Sequence, residues 1–206
     1  MKFRIDLHVH SKYSGDSNAE PEEIIIQAIE SGLQGICFTE HYSYEASGPV
    51  ERLREKYADS IRIFRGVEFS AEEGHCLVFG VNTDKLADKY MPVQALIKVV
   101  SEAGGIVIPS HPYRMGQGMG DLVLRLEGLC AVEGYNGFNM PSYNSMAVEM
   151  AKAMGLSYTG GSDAHEPEEA GLCYTEFDDE VTYDNFIELL KKGNYRGIDN
   201  RKLGVH

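Results

Sequence analysis

Short apolar runs alternate with helical stretches along the whole chain, and most of the runs end on a histidine or a carboxylate. Phe3, Ile5, Leu7 and Val9 alternate with polar residues, the period of a half-buried strand. Glu20-Pro21-Glu22-Glu23 opens an amphipathic helix that stops at Gly32, because proline and acids suit the first turn. Further strands are predicted at Gly35 to Thr39, Ile61 to Glu68, His75 to Gly80, Ile106 to His111, Ala131 to Tyr135, Leu156 to Gly161 and Leu172 to Phe177. Helices are predicted at Val50 to Tyr57, Pro92 to Ala103, Leu122 to Leu129, Ser145 to Met154 and Tyr183 to Lys192. Strand–helix alternation without linker, repeat or low-complexity stretch predicts one α/β domain over residues 1–206, built on a parallel sheet, closed or open.

The polar residues gather at strand ends: Glu40-His41, Glu68, His111, Glu133 and Asp163 with His165, and His75 opens its strand. Parallel strands that end together form one rim, where ligands and chemistry are placed. At the first strand, His8 and His10 stand two residues apart and share a face with Asp6. Two imidazoles so fixed are half of a metal site, though two surface histidines on an edge strand would read the same way. Six of the seven histidines, His206 being the exception, lie at strand boundaries. With Glu68 and Asp163 they point to a shared metal site.

Composition narrows the rest. A net charge of −13 argues against a broad basic surface for nucleic acid, so no stable nucleic-acid complex is expected. A small phosphorylated partner remains compatible, because bound cations reverse the charge locally. No apolar run approaches a membrane span and the N-terminus shows no signal-peptide pattern, which predicts a cytoplasmic location. Cys37, Cys76, Cys130 and Cys173 are scattered without a CxxC pair; the first three sit in apolar stretches and read as reduced core residues. No GxSxG nucleophile motif is present.

In order, His8-Val9-His10, Thr39-Glu40-His41, Gly66-Val67-Glu68, Ser110-His111-Pro112 and Gly161-Ser162-Asp163-Ala164-His165 resemble the polymerase-and-histidinol-phosphatase (PHP) family of metal-dependent phosphoesterases. The resemblance runs from residue 6 to about residue 197. It implies a distorted TIM-like barrel of seven βα units, with three divalent ions (zinc, manganese or iron) at the strand C-terminal rim. One ion would take His8, His10, Glu68 and Asp163. A second would share Glu68 and add His75 and His111, and a third would take Asp16, His41 and His165. Asp16 lies in Ser14-Gly15-Asp16-Ser17, which also reads as a simple turn, and His75 could merely bond a backbone carbonyl. Glu40 stands where the family more often has aspartate, and orienting a ligand imidazole is its expected role. Glu133 reads equally as a partner of ligands or substrate and as a solvated carboxylate.

The implied activity is hydrolysis of a phosphomonoester of a small molecule or nucleotide by a metal-bridging hydroxide, since a bound cation makes hydroxide accessible near neutral pH. Asp16, Arg114 and His165 are the expected catalytic residues. Arg114 follows His111-Pro112-Tyr113 and is placed to clamp a phosphate, although a plain surface arginine fits there too. The glycine-rich stretch Met115 to Gly120 matches no P-loop and reads as a mobile rim loop. Alternatives are a phosphodiesterase or 5′→3′ exonuclease on short oligonucleotides or nucleotide bisphosphates, an amidohydrolase, and an inactive metal-binding accessory domain. The amidohydrolase reading lacks a lysine at a strand end.

Overall fold

The computed structural model describes residues 2–201, so His206 lies outside the described residues. In chain order the elements are β1 (Phe3–Val9), α1 (Pro21–Glu30), β2 (Gly35–Phe38), α2 (Glu51–Lys56), β3 (Arg62–Ser70), β4 (His75–Phe79) and α3 (Val93–Glu102). They continue with β5 (Ile106–Pro109), β6 (Ala131–Asn136), α4 (Pro141–Met154), β7 (Ser157–Gly161), β8 (Cys173–Phe177), α5 (Phe186–Lys192) and β9 (Tyr195–Asp199). Short 3-10 turns span Glu45–Val50, Thr83–Lys85, Gly120–Arg125 and Pro167–Glu169.

The strands form two ladders. One has seven strands in the order β5-β4-β3-β2-β1-β8-β9, and the other pairs β6 with β7. β1, β2 and β3 run parallel, as do β6 and β7, while β4, β8 and β9 run antiparallel to their neighbours. The small ladder packs β6 against β5 and β7 against β1, β8 and β9. Past β7, a bridge between Val9 and Ala164 and the Asp163 N–H to His8 carbonyl bond (2.7 Å) fasten its end to β1. The α/β architecture is therefore present, but the hydrogen-bonded strands do not run round as one ring of seven parallel βα units. β3 and β4 are joined by residues 71–74 alone, too few for a parallel crossover, so β4 must double back.

The helices follow their sequence signals. α1 carries Pro21 at its start and Glu22 and Glu23 in its first turn, and buries Ile24, Ile25 and Ala28. α3 buries Val93, Leu96, Ile97 and Val100, an i, i+3, i+4, i+7 stripe. Leu122 to Leu129, predicted helical, holds only the 3-10 turn, and β9 was absent from the sequence prediction. β1 is buried on both faces rather than half-buried: Ile5, Leu7 and Val9 sit in apolar clusters, and Asp6 and His8 are equally inaccessible. The cysteines are all free thiols, with Cys37, Cys76 and Cys173 buried and Cys130 partly so. Among the described residues no helix is long and apolar enough to cross a membrane.

Candidate metal centre

The fold brings the strand ends to one place. His8 belongs to β1 and His10 follows it; His41 follows β2, Glu68 lies within β3 and His75 starts β4. His111 follows β5, and Asp163 and His165 follow β7. Asp16 reaches in from the loop between β1 and α1. Potential ligand atoms gather into three groups: His8, His10, Glu68 and Asp163; Glu68, His75 and His111; and His10, Asp16, His41 and His165. Glu68 and His10 each belong to two groups, so the three are contiguous. All nine predicted ligands are thus brought together, with His10 joining the group expected of Asp16, His41 and His165.

The innermost group has a telling shape. His8 Nε2 and His10 Nε2 lie 3.0 Å apart. Each is 3.3 Å from Glu68 Oε2 and 3.2 Å from Asp163 Oδ1. A tetrahedral ion with ligands at ~2.0–2.1 Å sets its donor atoms about 3.3 Å apart. Five edges of the tetrahedron match that spacing. In the second group Glu68 Oε1 lies 3.1 Å from His75 Nδ1 and 2.8 Å from His111 Nε2. In the third, Asp16 Oδ2 lies 3.0 Å from His41 Nε2 and 3.2 Å from His165 Nε2. The inner group is sealed, whereas the Asp16 side chain is about half exposed, at 47%.

The electrostatics require positive charge. Burial by itself would raise the carboxyl groups of Glu68 and Asp163, but His8 and His10 hold both well below the usual range. Burial would lower the His8 imidazole; Asp163, Glu133 and Glu68 instead push it well up. Glu68, Glu133 and Asp163 are all buried, and Arg114 reaches only Asp163 among them. A buried anion without a counter-charge is costly, so this set fits divalent cations.

Outer contacts fix the ligands. The Glu133 carboxylate accepts from His8 Nδ1 at 2.9 Å, from the His111 N–H at 2.8 Å and from Asn136 Nδ2 at 3.0 Å. A carboxylate only accepts, so the His8 proton sits on Nδ1 and its Nε2 lone pair faces the inner group. Glu133 is therefore no solvated carboxylate. His165 Nδ1 likewise donates to the Asp163 carbonyl (2.9 Å), freeing Nε2 toward Asp16. Ser14 Oγ lies 2.8 Å from His10 Nδ1 and accepts the His41 N–H. Asp6 accepts from the Ser162 and Gly171 N–H groups, which ties the Asp163 loop under β1. His111, Asp163 and Tyr42, the neighbour of His41, all have positive φ (30°, 58° and 66°), strain concentrated at the site. Gly161 is obligatory here, because a Cβ would come within 2.5 Å of His8 Cβ.

Two expectations are corrected. Glu40 makes no hydrogen bond to a ligand imidazole among the described residues; its oxygens accept the Ser11 N–H and hydroxyl, bracing the turn after His10. The stretch Met115 to Gly120 is pinned rather than loose. Gln117 accepts the His75 N–H, Gly118 donates to Arg114, Gly120 donates to Pro112, and Met119 is buried. Asn136 and Asn139 escaped the sequence reading. Asn136 ends β6 as the ligands end their strands, and that position was the available signal.

The groups border a cavity of about 300 Å³ lined by Asp16, His41, Arg114, Gln117, Phe138 and His165, with Glu68, His111 and Asp163 at its floor. Arg114 Nη1 donates to Asp163 (2.7 Å), Nε to Asn139 (2.8 Å) and Nη2 to Asn136 (2.6 Å). Of its five N–H groups, one on each terminal nitrogen stays free.

Comparison with known proteins agrees. A family model described as PHP-associated matches residues 141–195. An uncharacterized protein of Methanocaldococcus jannaschii is 27% identical over 148 residues, 66% of this chain and 84% of that one. A histidinol-phosphatase of Lactococcus lactis is 30% identical over 117 residues, 51% of this chain but only 42% of that enzyme. The structure of PsfC from Pseudomonas syringae superposes with a TM-score of 0.73 at 21% identity, covering 96% of this chain and 91% of PsfC, a likeness of fold. By its ordered motifs, its PHP-associated segment and these relatives, the chain is similar to proteins of the polymerase-and-histidinol-phosphatase family.

Proposed function

We propose that this chain hydrolyses phosphomonoesters of small molecules, using three divalent cations held by the three ligand groups. The observation that carries this reading is the four-atom inner group, whose spacing and charge suit a cation, flanked by two groups that share its ligands. The ions would supply an acidified water near neutral pH and would offset the charge on phosphorus. The chain's own residues do the rest. Arg114, aligned by Asn136, Asn139 and Asp163, offers its two free N–H groups to phosphate oxygens. Asp16 and His165 form the open side of the cavity, where substrate arrives. Glu133, Ser14 and Asp6 keep the imidazoles and the Asp163 loop in place, so little reorganisation accompanies reaction.

A monoester is favoured over long nucleic acid because, among the described residues, Arg114 is the one lysine or arginine lining the cavity, whereas polynucleotide backbones need several. Among the described residues no lysine lines it, which speaks against an amidohydrolase centre bridged by lysine. The test is hydrolysis of p-nitrophenyl phosphate by protein loaded with manganese, zinc or iron, beside a chelator-treated control. Metal-dependent turnover is expected. No turnover with any of the three ions would contradict the proposal.

A further inference from the structure

Phe138 belongs to none of the three apolar clusters of the core. It is 65% exposed, yet the loop that carries it is held by several hydrogen bonds. Its own N–H donates to Asn136 Oδ1 (2.9 Å), and the Gly137 N–H donates to the Gly161 carbonyl (3.0 Å). Asn144 receives Asn136 N–H and Asn139 Nδ2, while Arg201, paired with Asp199, donates to the carbonyls of Gly137 and Asn139. A rigid loop therefore holds a large apolar ring in solvent. Isolated exposed apolar residues are ordinary. This one lines the cavity of the metal centre, with its ring centroid 6.3 Å from that of His165 and 5.5 Å from the Arg114 guanidinium carbon.

Arg114 and Phe138 thus stand together, the guanidinium with two free N–H groups lying over a ring that remains largely exposed to solvent. The residues that orient the arginine, Asn136 and Asn139, bracket the phenylalanine in sequence. Fixing one fixes the other. On the reading of the site as a phosphomonoesterase, the phosphate lies on Arg114 and the cations, and the esterified alcohol extends along Phe138.

We infer that Phe138 is a specificity-determining residue that stacks a planar ring in the leaving alcohol, so the preferred substrates are ring-bearing phosphomonoesters rather than open-chain or bare sugar phosphates. The ring adds binding area without hydrogen-bond readout, so the preference is for planarity and not for one ring.

The test compares adenosine 5′-monophosphate with ribose 5-phosphate, which differ by the base alone. Wild-type protein is expected to favour the nucleotide by about 10-fold or more in kcat/KM, the scale of one base–aromatic stack. Phe138→Ala should erase most of that ratio, Phe138→Tyr should keep it, and Phe138→Leu, which retains bulk without a π-face, should not. Calorimetric titration of the metal-loaded protein with adenosine and with ribose reads ring preference apart from turnover. If neither phosphate is hydrolysed but the preference for adenosine is present and lost in Phe138→Ala, the ring subsite stands and the phosphatase reading falls. Hydrolysis of both phosphates at equal efficiency, or a ratio unmoved by Phe138→Ala, overturns the inference.

Discussion

Glu133→Gln is the sharpest probe of how this site is built. The carboxylate holds two sets of donors at once, His8 Nδ1 on one oxygen and the His111 N–H with Asn136 Nδ2 on the other. Glutamine keeps the shape and offers one accepting oxygen and one donating NH₂. If its oxygen faces His111 and Asn136, the NH₂ meets His8 and drives the His8 proton onto Nε2, the tautomer that cannot ligate. If its oxygen faces His8, the NH₂ opposes two donors in a site sealed from water. Either way at least one charge-assisted hydrogen bond is lost, roughly 1.5–3 kcal/mol. That corresponds to a 10–100-fold loss of cation affinity at the inner group, the range found when partners of metal-bound histidines are removed. Competition with a chromophoric chelator measures the affinity, and the aryl phosphate assay measures turnover. A Glu133→Gln protein within about two-fold of wild type in both would refute the tautomer argument.

Arg114→Lys keeps the charge but loses the fork, and should lower kcat/KM on any phosphomonoester by at least about 10-fold, roughly 1.4 kcal/mol. Steady-state kinetics checks this; wild-type values would remove Arg114 from the binding site. Gly161→Ala would press its Cβ against His8, 2.5 Å away, an overpacking cost of about 1–3 kcal/mol. Thermal unfolding should show a Tm lowered by roughly 2–12 °C. Stripping cations should lower Tm, and readdition of a divalent ion should restore it. The stripped chain should also change its pH dependence. Burial pulls the His10 imidazole down, but Asp163 and Glu68 overcome it and push its pKa from 6.5 to about 9. A raised histidine stabilises fully below its unfolded value and ceases to do so as pH climbs through the folded one. Denaturation midpoints of stripped protein should therefore fall between pH 6.5 and about 9. Metal-loaded protein, with neutral ligating imidazoles, should not follow that slope.

Much of the site was legible because its residues sit where strands end. His41, His111, Asp163 and His165 could be read from an apolar run followed by a polar stop, and His8 and His10 from their spacing of two. Strand direction was not legible. β4 looks like β3 in composition, and only the short 71–74 connection forces it antiparallel. β9 reads as Tyr195–Asp199 with one fully apolar branched residue, Ile198, so it forms a strand through pairing with β8 rather than through a hydrophobic pattern. The partners of the ligands were the hardest to see. Glu40 and Glu133 read alike in sequence, as carboxylates closing short apolar runs, yet Glu40 follows β2 and braces Ser11 while Glu133 lies within β6 and fixes His8. That difference depends on which chain segment lies opposite, 29 residues away for Ser11 and 125 for His8.

The account depends most directly on cations being held at the converged ligands. Elemental analysis of chelator-free protein, dialysed to constant metal, measures it. About three divalent ions per chain are expected, falling on Asp163→Asn and on Glu68→Gln. A folded wild-type protein that binds less than one equivalent of zinc, manganese or iron would contradict it.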